Sequence, residues 1–86
     1  MIKIKSFSVN GTEKNKQNII NLDEIVIYGT PETLRQIGLF LINSAHEMEI
    51  NDTDHCHLQD AVKEFSQTKH CDIILVNKNI IKKEPN

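Results

Sequence analysis

Glu24-Ile25-Val26-Ile27-Tyr28-Gly29-Thr30-Pro31-Glu32-Thr33-Leu34 is the stretch on which the fold turns. Ile25, Val26, Ile27 and Tyr28 are β-formers in succession, so Glu24 to Tyr28 reads as a strand. Gly29 breaks it. Thr30 has a hydroxyl suited to accept from a free N–H of a first helical turn, and Pro31 fits the first helical position, where a missing N–H costs nothing. Glu32 then places negative charge at the positive end of the helix dipole. A helix is therefore expected to run from Pro31 to about Ile50, with Leu34, Ile37, Leu41, Ala45 and Met48 as the face laid on a sheet. Gly38 interrupts that stripe at a cost of about 1 kcal/mol in helix propensity, which predicts a close approach of helix to sheet. Leu39 and Phe40 project to the two flanks, so another segment or a partner must cover them.

Downstream, Asn51-Asp52-Thr53-Asp54 breaks the helical pattern and reads as a loop. His55 to Gln59 reads as a short strand, Asp60 as the cap of a brief helix, and Asp72 to Asn77, with Ile73-Ile74-Leu75-Val76, as the most apolar strand of the chain. Upstream, Ile2, Ile4, Phe7 and Val9 alternate with one change of parity near Ser6, as at a β-bulge. Asn10-Gly11 marks a turn, and Thr12 to Asn18 is a polar loop before Ile19, Ile20 and Leu22. The first two strands should pair antiparallel, because no helical crossover separates them. The expected fold is α+β and two-layered: a four-stranded sheet with one long helix on one face, in the order β-β-α-β-β, with room for a short helix before the last strand. One helix leaves one sheet face open to solvent or a partner. Residues 1–80 are expected to form a single domain and 81–86 a polar tail.

The 86 residues bound a single small domain, which buries about 60 to 65% of its unfolded surface. Hydrophobic residues at 38% and charged residues at 26% suit a soluble globule. A net charge of −2 gives no electrostatic reason to hold phosphate backbones, so no nucleic acid is expected. No apolar run approaches the ~20 residues that span a bilayer, and the N-terminal residues alternate instead of forming a secretion signal. Two cysteines, Cys56 and Cys71, are too few for a disulfide scaffold, so a reducing cytoplasm is the expected compartment.

His55 and His57 lie two apart and share one side of a strand. Two imidazoles on one face are the start of a transition-metal site, with Asp52, Asp54, His46, His70 or Cys71 as further candidates. The alternative is a solvated polar face, and two placed ligands fall short of the three or four that zinc requires, so no metal or cofactor is assigned. Neither cysteine sits in a nucleophile motif, and no serine triad or paired-carboxylate site is visible. Gly29-Thr30-Pro31 lacks the glycines and lysine of a phosphate loop and reads as a helix cap. Glu47, Glu49, Asp52 and Asp54 make an acidic patch: either a solvated surface or one that steers a basic partner.

Gly29-Thr30-Pro31-Glu32-Thr33-Leu34, the apolar helix with Ala45, and His55-Cys56-His57 together resemble the immunity protein 32 family of bacterial polymorphic toxin systems. The resemblance spans about residues 24 to 58. It implies a non-enzymatic antidote that docks one-to-one on a cognate toxin, with His55 and His57 carried over as motif positions. On this reading the expected partner-binding residues are Asp52, Asp54, His55, His57 and Phe40, the last as an apolar anchor. Two alternatives stay open. One is a small metal-binding protein or metal-dependent enzyme built on the His-x-His strand. The other is an interaction module whose open sheet face pairs with a second copy, giving a homodimer.

Overall fold

The computed structural model describes residues 2–83. Its architecture is α+β, with six elements in the expected order: β1 (Asn10–Thr12), β2 (Ile19–Asn21), α1 (Pro31–Asn51), β3 (His55–His57), α2 (Leu58–Ala61) and β4 (Ile74–Val76). The four strands form two separate antiparallel pairs, β1 with β2 and β3 with β4, and not one four-stranded sheet.

The first hairpin pairs Asn10 with Asn21, Gly11 with Ile20 and Thr12 with Ile19, and Leu22 N–H donates to Val9 C=O at 3.1 Å. Its turn is not at Asn10-Gly11, which lies in the ladder. It lies where Lys16 N–H reaches Glu13 C=O at 3.1 Å and Asn15 takes φ 63°. Asn tolerates that left-handed conformation better than other residues except glycine, which is why the chain reverses there. The two runs expected as strands, residues 2–9 and Glu24 to Tyr28, lie outside the paired strands, and only Val9 C=O touches the first hairpin's ladder, at its end.

Helix α1 starts as the sequence dictates. Thr30 is extended, its Oγ1 accepts from Thr33 N–H at 3.2 Å, and Pro31 follows. It ends at Asp52, which adopts φ 53°, the left-handed conformation that stops a helix by turning the chain aside. No basic residue offsets the dipole in its last turn. The buried stripe differs from the expected one. Phe40 and Ser44 are buried and Ile37 and Met48 half-buried, while Leu34, Leu41 and Ala45 are exposed. At 100° per residue the docked face is rotated by roughly 50° from the one read in the sequence. Gly38 does not mediate a close approach either, since a Cβ added there would meet nothing within 4 Å.

The second hairpin pairs His55 with Val76, Cys56 with Leu75 and His57 with Ile74. Leu58 N–H to Ile73 C=O and Asn77 N–H to Asp54 C=O, both 2.8 Å, extend the ladder at its two ends. Phe40 and Leu58 are the only buried apolar side chains among the described residues, so the core is small. The radius of gyration is 13.7 Å, against about 12 Å for a compact domain of this length. The accessible surface is 8161 Å², against about 5,200 Å² for a compact 9.9 kDa monomer. The chain keeps a large apolar surface open.

Candidate functional site

The groove beside β3 collects the chemistry. It encloses about 410 Å³ and is lined by Phe40 and Glu47 of α1, His55 and His57 of β3, and Asp60 and Ala61 of α2, with Ser44 on the helix side. Helical spacing puts Phe40, Ser44 and Glu47 on neighbouring turns of one face. The ring of Phe40 is only 9% exposed. It therefore forms the floor of the groove.

Alternation along β3 sends His55 and His57 to one side, with cross-strand partners Val76 and Ile74, and Cys56 with Leu75 to the other. Each imidazole is held by a carboxylate. His55 Nδ1 lies 2.8 Å from Asp54 Oδ1, and His57 Nδ1 lies 3.0 Å from Asp72 Oδ2. An ionised carboxylate only accepts, so each Nδ1 must carry the proton, which leaves both Nε2 atoms free of any partner among the described residues. The two rings meet edge-on, with centroids 5.3 Å apart.

Asp72 is the hinge of this arrangement. Its second oxygen accepts from Gln59 N–H at 2.9 Å, so one carboxylate ties the loop before β4 to β3 and to the start of α2. Burial alone would push its carboxyl up. The hydrogen bond from His57, the N–H of Gln59, the charge of His57 and the N–H of Ile73 outweigh that and hold it below the usual value. Asn77 does a similar task at the far end of the hairpin, its Nδ2 donating to Thr53 C=O at 3.1 Å.

Of the residues expected to meet a partner, Phe40, His55 and His57 share the groove, and Asp54 stands at its edge bonded to His55. Asp52 is exposed, is not part of the lining, and acts as the helix stop. The sequence marks Glu47 only as part of an acidic patch, Asp60 as a cap and Asp72 as a strand start. Asp60 in fact lies within α2, in its first turn. The role of Asp72 follows from the β3–β4 register, which a short strand with no marked turn does not disclose. Other candidate ligands lie elsewhere. His70 Nδ1 accepts from Ser66 N–H at 2.9 Å and its ring packs on Phe65, so it is tied to its own loop. Cys56 and Cys71 are both free thiols. Among the described residues no cluster of three or more His, Cys, Asp or Glu is placed to hold a metal ion.

The groove thus offers two imidazole nitrogens, two carboxylates and an aromatic floor, with no lysine or arginine in its lining. The lining also includes the Cys56 thiol and the Ser44 and Thr53 hydroxyls, and among the described residues the hydrogen-bond partners of the two imidazoles are Asp54 and Asp72. No helix among the described residues is long and apolar enough to cross a membrane.

The family model described as Immunity protein 32 matches residues 24–79, from the extended segment before α1 through β4. The first hairpin lies outside the match. No curated protein and no solved structure matches the chain.

Proposed function

Because the chain belongs to the immunity protein 32 family, we propose that it is a non-enzymatic antidote of a bacterial polymorphic toxin system. It acts in the cytoplasm by binding one cognate toxin and covering the surface that toxin needs for its work. The observation that carries this reading is the groove between α1 and β3. It has an aromatic floor, carboxylates on both walls and no lysine or arginine in its lining. Such a surface favours a toxin that presents lysine or arginine beside an apolar contact, since opposite potentials speed encounter and fix the docked register. Glu47, Asp54 and Asp60 supply the negative field, and His55 and His57 present their Nε2 atoms for hydrogen bonding. Asp52, one residue past the helix, extends the charge outward. A standard interface of about 1,600 Å² is within reach of a domain of this size.

The test is co-expression with the toxin domain encoded beside this chain. The wild type is expected to rescue growth, and the double variant Glu47→Lys, Asp54→Lys to lose rescue while retaining its circular dichroism spectrum. Full rescue by that variant would remove the groove from the mechanism. Failure of the wild type to bind any such toxin would remove the reading itself.

A further inference from the structure

The segment Glu24 to Tyr28 has the composition of a buried strand and none of its protection. No backbone hydrogen bond holds it among the described residues. Val26 is 86% exposed and Tyr28 fully exposed, with Ile25 and Ile27 half open. It contains no lysine and no proline, the residues by which edge strands are kept from pairing with other chains. We propose that this segment is the contact through which two copies of the chain form a symmetric antiparallel dimer, with Val26 on the two-fold axis.

Three observations single out a second copy as the occupant. The first is register. Centring the pair on Val26 sets Ile25 opposite Ile27, Glu24 opposite Tyr28 and Asp23 opposite Gly29. No like charges then face one another, and β-branched residues meet β-branched residues, the arrangement that stabilises a ladder. A self-complementary patch of this kind is what a two-fold interface requires. The second is a hollow of about 500 Å³ at the end of the segment, lined by Phe7, Val9, Leu22, Glu24 and Ile25. In the proposed register Tyr28 of the second copy lies against Glu24, at the mouth of that hollow, where its ring gains the apolar cover it lacks here. The third is area. The chain exposes about 3,000 Å² more surface than a compact monomer of its 9.9 kDa mass. Stable interfaces bury about 1,200 to 2,000 Å² in total, and obligate dimers more, so the excess on two copies is ample.

The β3 groove shares no lining residue with this surface, so the dimer would carry two free docking sites. This inference stands whether or not the antidote reading does. The experiment is light scattering on the full chain from about 1 to about 200 µM, the range in which a moderate self-affinity is resolved. It is paired with amide exchange at residues 24–28. The wild type is expected to reach twice the monomer mass, with slow exchange at Ile25 to Ile27 appearing only as the dimer forms. Val26→Lys, at a site too exposed to unfold the monomer, should remain monomeric. Val26→Cys in a Cys71→Ser background should give a disulfide-linked dimer on mild oxidation, since paired antiparallel Cα atoms lie within disulfide range. A wild type that stays monomeric throughout would overturn the proposal. Slow exchange in that monomer would mean that the segment pairs within its own chain, and fast exchange that it stays unpaired. A dimer that survives Val26→Lys, or one that forms only with toxin present, would overturn it equally. Loss of dimer in Val26→Lys with toxin rescue intact would separate this surface from the groove.

Discussion

The two hairpins of this protein have the same number of strands and very different support. The β3–β4 hairpin is stitched from outside its ladder: Asp72 holds His57 and Gln59 N–H, Asn77 holds Thr53 C=O, and Leu58 beneath it is buried. The β1–β2 hairpin has its ladder, the Leu22–Val9 bond and an exposed Lys16–Glu13 ion pair at 3.1 Å, and the segments flanking it leave Ile2, Phe7 and Val26 in solvent. Exposed ion pairs contribute little. Apolar alternation makes a segment able to be a strand; polar groups that accept specific N–H bonds decide which neighbour it takes. The family match has the same division, since it begins at Glu24 and leaves the first hairpin out.

Phe40→Ala should produce the largest effect. It empties the floor of the groove and removes one of the two buried apolar side chains among the described residues, at about 3 kcal/mol or more. Urea unfolding followed by circular dichroism would measure it, and a loss under about 1 kcal/mol would show that the second region is no better packed than the first.

Asp72→Ala comes next. It leaves Gln59 N–H and His57 without their acceptor, at about 2 kcal/mol. The pH dependence has a definite sign. A carboxyl whose folded value lies below its unfolded one stabilises the fold fully above about pH 4, and the contribution is lost as pH falls through the lower folded value. Stability of the wild type should therefore fall more steeply below about pH 4 than that of the variant. Parallel curves would assign the acid sensitivity elsewhere.

Thr30→Ala removes the hydroxyl that caps α1 and should lower the melting temperature by an amount equivalent to about 1 kcal/mol. Gly38→Ala should do the reverse, raising stability by somewhat under about 1 kcal/mol, because its added methyl meets open space and the helix gains propensity. A destabilised Gly38→Ala monomer would mean that some part of the first region packs against this turn in solution. The smallest change is expected at Val26→Thr, within about 0.5 kcal/mol for the monomer.

The start of α1, its stop near residue 51 and the strand at His55 were legible because each rests on local chemistry: a hydroxyl before a proline, a break in periodicity, two imidazoles at strand spacing. The docked face of α1 was not. Leu41 and Phe40 are adjacent, and the apolar count on either side of the helix is similar, so which face is covered depends on what lies against it. The single sheet expected from four apolar runs was not found for the same reason, since the runs at residues 2–9 and 24–28 carry no feature that names a neighbour. The groove itself was half legible. His55 and His57 announce it, whereas Asp72 joins it across a fifteen-residue gap through a backbone register that only the fold displays.

Titration calorimetry of the purified chain against the proposed cognate toxin domain tests the docking proposal most directly. Binding of one toxin per chain is expected, weakened at least about tenfold, or about 1.4 kcal/mol, by Glu47→Lys with Asp54→Lys at unchanged fold. Equal affinity for the wild type and that variant would contradict it.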